Sequence, residues 1–270
     1  MSQLDATLIR RLLAAESNAH LDELELFASI ASTNTYLLAQ PPPSPKRLRV
    51  AIADHQTSGR GRHARRWVSP PGAGLCLSLA YTFDEQPEQV ASLTLAIGVG
   101  IVAALKTIGV ENASLKWPND IVVLDGKLGG ILTELQPRRS NHATVITGIG
   151  LNIDLPDGVE DEIESDWAKQ PVDIRGVIDQ LPAREAIAAS VIDELHSVMR
   201  KFEVHGLGEF IEDWMAHDWL RDREVSVELP DRQISGVAAG IDADGALLID
   251  TGDEKTRVVS GSIVMAGLPA

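Results

Sequence analysis

Residues 115–135 read LKWPNDIVVLDGKLGGILTEL. Two runs rich in aliphatic and β-branched residues flank Asp125-Gly126. Glycine tolerates the positive φ of a tight turn, so the stretch predicts a β-hairpin. One arm carries Asp120 and the returning arm carries Lys127, near enough across the hairpin to pair or to share a ligand. Spacing alone divides evenly between that reading and a surface hairpin with a common turn lysine. The adjacent Gly129-Gly130 shifts the balance, because paired glycines inside a strand mark the close approach of a ligand or of another backbone.

The patterns on either side call for a sheet with helices. Leu24, Leu26 and Ala28 alternate within His20–Ile30, Leu48–Ala53 is a short apolar run, and Leu75, Leu77 and Leu79 share one face of Gly74–Tyr81. All three predict strands, as does Val145–Ile153. Leu8, Leu12 and Ala15 give a short amphipathic helix. The 16 uncharged residues from Val90 to Leu105 fall short of the ~20 a membrane span needs and read as a buried helix. Ile187, Val191, Leu195, Val198 and Phe202 form one helical stripe, and a further helix is expected near Leu207–Trp219. Residues 156–182 are acidic with weak periodicity, a loop with short helices. From Glu224 onward the texture changes to short strands separated by turns at Pro230-Asp231, Asp244-Gly245 and Gly252-Asp253. That spacing predicts a small β-barrel.

Composition narrows the function classes. The 270 residues carry 24 Lys+Arg against 39 Asp+Glu, a net charge of −15, which argues against broad binding to nucleic acid or anionic membrane. A single cysteine, Cys76, excludes an internal disulfide and a multi-cysteine zinc site, and fits a reducing cytoplasm. Cys76 lies mid-strand among leucines and reads as buried and apolar. The N-terminus lacks the apolar core of a secretory signal. No GxxxxGK[ST] loop, GxSxG elbow or HExxH helix is present. Gly98-Val99-Gly100 resembles a dinucleotide fingerprint by letter, but it lies inside the apolar helix and reads as helix packing. The acidic run Asp157–Asp166 reads as solvated loop.

Against that acidity, Gly59-Arg60-Gly61-Arg62-His63-Ala64-Arg65-Arg66-Trp67 packs four arginines into seven positions. Clustering them costs like-charge repulsion that a bound polyanion would relieve. Gly59 and Gly61 let the backbone approach an anion, and Trp67 offers a face for a flat ring. Gly148-Ile149-Gly150-Leu151-Asn152 ends a strand with two glycines and an amide. Ser32-Thr33-Asn34 stands at a helix start, where capping is the simplest role.

Taken together, Gln56-Thr57-Ser58-Gly59-Arg60-Gly61-Arg62, Lys116-Trp117-Pro118-Asn119-Asp120, Lys127-Leu128-Gly129-Gly130-Ile131-Leu132 and Gly148-Ile149-Gly150-Leu151-Asn152 resemble the biotin–protein ligases in order and spacing. The resemblance implies an α+β fold. A mixed-sheet catalytic domain of the class II synthetase-like biotin/lipoate ligase type would span 1–221, and a small SH3-like β-barrel would span 222–270. It implies ATP-dependent adenylation of biotin with release of pyrophosphate, then transfer to a lysine of a biotin carboxyl carrier domain. Magnesium would accompany ATP, with no residue assigned to it.

By the same resemblance, Ser32, Thr33, Asn34 and Gln56 line the biotin ring pocket. Gly59, Arg60, Gly61, Arg62 and Arg65 belong to a loop that folds over biotin and its adenylate. Lys127 holds the carboxylate and α-phosphate oxygens beside Gly130, and Asp120 positions it or the acceptor amine. Trp67 and Asn152 serve the adenine. Lys127, Arg62 and Asp120 are thus the catalytic candidates. The family has glycine at the position of Ala64, where a positive φ would strain alanine. About 30 residues precede Ser32, too few for the DNA-binding domain of bifunctional members, so a ligase without repressor function is expected, as a monomer or homodimer without DNA or membrane partners. A lipoate or octanoate ligase and a non-catalytic binder of biotinyl-adenylate are the rival readings.

Overall fold

The computed structural model describes residues 4–85, 87, 90–136, 142–159, 171–229 and 231–265. Helices α1 (Ala6–Leu12) and α2 (Ala15–His20) lead into strand β1 (Leu21–Phe27). The helix expected over 7–15 is α1, which ends at Leu12, and after the extended Leu13-Ala14 comes α2, which the sequence reading did not include. Asp5 caps α1 by accepting from the Thr7 and Leu8 amides. Helix α3 (Thr33–Ala39), strand β2 (Leu48–Ala53), strand β3 (Gly74–Phe83) and helix α4 (Val90–Thr107) follow. Next come β4 (Ser114–Lys116), β5 (Asp120–Val123), β6 (Gly126–Leu135) and β7 (Ala143–Asn152), then α5 (Arg184–His205), a short 3₁₀ turn and α6 (Ile211–Ala216). Within 156–182, residues 160–170 lie outside the described residues; so does Pro230 of the turn expected among the C-terminal strands.

The first seven-stranded sheet has the order β1-β2-β3-β7-β6-β5-β4, with β1 parallel to β2 and the other neighbours antiparallel. Its two faces do different work. Leu75, Leu77, Leu79, Tyr81 and Phe83 alternate along β3 into one large core with α4 and α5. On the opposite face Ala51, Ala80 and Ile146 make a small apolar patch with Leu37 of α3. The glycine pair inside α4 is helix packing: a Cβ on Gly98 would meet Leu115, and one on Gly100 would meet Val198 of α5 at 2.6 Å.

The hairpin of residues 115–135 forms, but its two-residue turn is Leu124-Asp125. Val123 pairs with Gly126, and both turn residues have positive φ (52° and 58°). This is the backbone sense of the hairpin turns that match strand twist. Leucine is a poor residue for it, which is why the glycine one position later misled the reading.

The C-terminal strands correct the expected barrel. Strands β8 (Glu224–Glu228), β9 (Gln233–Ile241), β10 (Leu247–Asp250), β11 (Lys255–Val258) and β12 (Ser262–Met265) form a five-stranded antiparallel sheet in the order β11-β10-β9-β8-β12. Among the described residues β11 and β12 do not pair, so the sheet stays open. Strand spacing anticipates β8 to β11 but not β12, and it carries no information about closure, which requires a ladder between the two edges. These edge strands are four residues each, and the three-residue link 259–261 leads from one edge to the other without bringing them into register. The open sheet is tied to the larger one by Trp117, whose indole N–H donates to the Gly245 carbonyl at 3.0 Å. No helix among the described residues is long and apolar enough to cross a membrane.

Candidate functional site

Strand register builds the site floor. Asp120, Gly130, Gly150 and Cys76 stand opposite one another across β5, β6, β7 and β3, and Leu132, Gly148 and Ser78 form the next row. Glycines at the centre of both rows sink the floor into a cavity. A Cβ at Gly150 would collide with the Trp67 indole and one at Gly148 with the Asn34 amide. The glycines are therefore required by what packs on them.

Thr33 and Asn34 reach this floor from the first turn of α3, which Ser32 caps by accepting from the Thr35 amide. Gln56 Oε1 accepts from the Thr33 amide (2.8 Å) and hydroxyl (3.1 Å). The Ser78 hydroxyl lies 2.6 Å from both Thr33 Oγ1 and Asn34 Oδ1, and its one proton serves one of them at a time. All of these side chains are buried. The cluster is thus rich in acceptors and matches a ligand that brings N–H donors.

The arginine loop is pinched shut at its base. Trp67 N–H donates to the Gly59 carbonyl (3.0 Å), Gly61 N–H to the Arg65 carbonyl (2.8 Å), and Arg60 bridges Arg66. At its tip Arg62–Ala64 makes one 3₁₀ turn, in which His63 is the left-handed residue at φ 54°. Arg62 Nη1 donates to Asn119 Oδ1 at 3.2 Å, and burial lowers the guanidinium pKa while Asp120 opposes the shift. Arg60 extends the other way, to Glu134.

On the hairpin side Asp120 Oδ1 stands 2.8 Å from Lys127 Nζ, and Oδ2 stands 3.6 Å from Lys116 Nζ. One carboxylate between two ammonium groups leaves a net positive centre aimed at the cavity. The Asn152 amide donates to the carbonyls of Lys127 (3.2 Å) and Val172 (3.1 Å), fixing the start of the returning strand.

Of the residues singled out from sequence, Ser32, Thr33, Asn34, Gln56, Arg60, Gly61, Arg62, Arg65, Trp67, Asp120, Lys127, Gly130 and Asn152 line one cavity. Gly59 does not line it: it is buried at the base of the loop, where a Cβ would collide with the Trp67 carbonyl oxygen. Sequence reasoning singled out Lys116 and Asn119 within a motif without giving them a role, and missed Ser78, Glu134 and the rim segment Gly261–Ile263. Ser78 was legible as the polar residue opposite the leucines of β3. Cys76 borders the cavity, and burial pushes its thiol pKa up, which favours the thiol over the thiolate. Among the described residues no group of three His, Cys, Asp or Glu side chains gathers to hold a metal.

The chain matches the Biotin/lipoate A/B protein ligase family over residues 26–152 and the biotin protein ligase C terminal domain over 222–265. It is 34% identical to the biotin--[acetyl-CoA-carboxylase] ligase of Mycobacterium tuberculosis, covering 90% of this chain and 88% of that protein. It is 36% identical to the bifunctional ligase/repressor BirA of Salmonella typhimurium, covering 82% of this chain and 67% of that one. Among solved structures, the biotin protein ligase from Aquifex aeolicus in complex with biotin and ATP superposes with a TM-score of 0.73 at 25% identity, covering 90% of this chain and 97% of that one.

Proposed function

The chain belongs to the biotin–protein ligase family, and from that premise we propose that this cavity activates biotin with ATP and passes it to a carrier lysine. In the first half, a biotin carboxylate oxygen bonds to the α-phosphorus of ATP. The bond from that phosphorus to the bridging oxygen breaks, and pyrophosphate leaves. In the second, the neutral amine of a carrier lysine attacks the carbonyl carbon, AMP departs with the bridging oxygen, and the amine proton passes to solvent.

The observation that carries this reading is the gathering of Lys127, Arg62 and the acceptor-rich α3 cluster around one cavity. Two anions meet in the first half, and cations held in place before reaction stabilise the charge that develops there. Lys127 is so held by Asp120, and Arg62 by Asn119. Thr33, Asn34, Gln56 and Ser78 take the ureido N–H groups of biotin. Trp67, backed by Gly150, presents its ring to the adenine. Asn152 acts through Lys127 by holding its carbonyl. Magnesium would supply charge neutralisation on the phosphates of ATP; Asp120, the carboxylate at this wall of the cavity, is engaged with two lysines. The acceptor is the biotin carboxyl carrier domain of acetyl-CoA carboxylase or a related carboxylase.

The test is the intact mass of a purified carrier domain after incubation with the chain, ATP, magnesium and biotin. A single biotinyl increment supports the proposal. An unmodified carrier beside accumulating biotinyl-adenylate refutes the transfer half.

A further inference from the structure

An acidic side chain beside a cavity that collects cations for anionic substrates needs a reason. Glu134 lies on β6 two residues beyond Leu132, so it projects from the same face of the sheet, one row past Leu132, Gly148 and Ser78. Its carboxylate takes the Arg60 guanidinium with both oxygens, Nη2 to Oε1 at 2.8 Å and Nη1 to Oε2 at 3.2 Å. The same Oε2 accepts from Asn34 Nδ2 at 2.9 Å. Asn34 is buried, its second amide hydrogen goes to the Leu132 carbonyl at 3.2 Å, and its oxygen faces Ser78. One carboxylate therefore touches both the loop above the cavity and the amide on its floor.

We propose that Glu134 is a positioning residue that latches the arginine loop to the floor of the biotin pocket. The inference rests on the ligase reading of that pocket. A two-pronged guanidinium–carboxylate pair fixes orientation as well as distance. The Glu134 side chain is 21% exposed and that of Arg60 44%, so solvent screens the pair in part and the two-pronged geometry carries the contact. Holding Asn34 Nδ2 turns the amide oxygen toward Ser78 and the ligand. Holding Arg60 keeps the glycine-flanked loop down before substrate arrives. Neutralising Glu134 loosens both at once, although it never contacts the reacting atoms.

The experiment compares the full chain with Glu134→Gln, Arg60→Glu and the charge swap Arg60→Glu/Glu134→Arg. Without ligand, trypsin nicking after Arg62, Arg65 and Arg66 is expected to rise about fivefold in Glu134→Gln, the effect of losing a partly shielded charged pair. In turnover its KM for biotin is expected to rise about five- to tenfold while kcat stays within about twofold, as for a residue that positions and does not react. The swap is expected to recover much of what Arg60→Glu loses in both readouts. Wild-type nicking or wild-type KM in Glu134→Gln overturns the latch. If the unaltered chain shows no biotin-dependent pyrophosphate release, the ligase reading fails, and the ligand-free nicking rates still judge the loop contact on their own.

Discussion

The carboxylate of Asp120 stands 2.8 Å from the ammonium of Lys127 across the hairpin formed by β5 and β6. Its second oxygen faces Lys116, so two ammonium groups share one carboxylate at the cavity wall. The arrangement separates two roles that a lone lysine would confuse. In the proposed reaction Lys127 meets the developing charge, and Asp120 keeps the lysines from repelling one another.

Lys127→Gln is therefore expected to lower kcat for biotinyl-adenylate formation by about 10²- to 10³-fold, the usual loss on removing one fixed electrostatic group. Asp120→Asn is expected to lose activity and also about 1–3 kcal/mol of stability, because it removes the carboxylate between two cations. Rapid-quench kinetics and urea denaturation of both variants check the difference. Equal stability losses would contradict the division of roles.

Gly150 is expected to tolerate no side chain. Gly150→Ala drives a methyl into the indole of Trp67 and tilts the ring from the strand floor. The KM for ATP should rise about tenfold or more, with a smaller change for biotin. Initial rates at varied ATP and varied biotin separate the two. A selective loss for biotin would place Trp67 on the wrong substrate.

The hairpin turn carries a removable cost. Leu124 holds φ 52° and is 72% exposed, while Asp125 beside it accepts from the Trp219 indole at 2.8 Å and from Arg223 at 3.1 Å. Leu124→Asn suits the left-handed backbone and is expected to stabilise the chain by about 0.5–1 kcal/mol. Asp125→Ala is expected to destabilise it by about 1–2 kcal/mol through the two lost hydrogen bonds. Thermal melts rank the three proteins, and a lower melting point for Leu124→Asn would reject the strain.

Two groups, His196 buried and Asp218 partly buried, give stability opposite dependences on pH. Desolvation raises the Asp218 pKa to about 6, so its contribution is fully present below the unfolded value near 3.8 and is lost as pH rises through 6. Desolvation, aided by His20, lowers the His196 pKa to about 4, so its contribution is present above about 6.5 and is lost as pH falls toward 4. Asp218→Asn is expected to gain about 1–2 kcal/mol at pH 7.5 and almost nothing near pH 4, after allowing for partial exposure. His196→Phe is expected to flatten the loss of stability on the acid side. Unfolding titrations from pH 4 to 8 check both, and parallel curves for wild type and variants would contradict them.

Local patterns carried most of this architecture. The leucine alternation of Gly74–Tyr81 did face the core, and Ser32 did cap a helix, because each depends on neighbours within a few residues. The arginine loop stood out because four cations in an acidic chain need a cause. What was not legible depends on strand register. Ser78 and Glu134 matter because of the rows in which they stand opposite Gly148 and Ile146, and register across β3, β7 and β6 is set by the whole sheet. Closure of the C-terminal strands failed for the same reason. The turn at Leu124-Asp125 was missed because contacts from Trp219 and Arg223 hold a backbone that leucine alone would avoid.

This cavity is proposed to adenylate biotin. Pyrophosphate release with magnesium and ATP, measured separately with biotin, lipoate and octanoate, tests it most directly. Release is expected to require biotin and to fall at least tenfold in Lys127→Gln, a modest floor for one electrostatic group. Release driven by lipoate or octanoate instead, or tight biotin binding without any pyrophosphate, would contradict it.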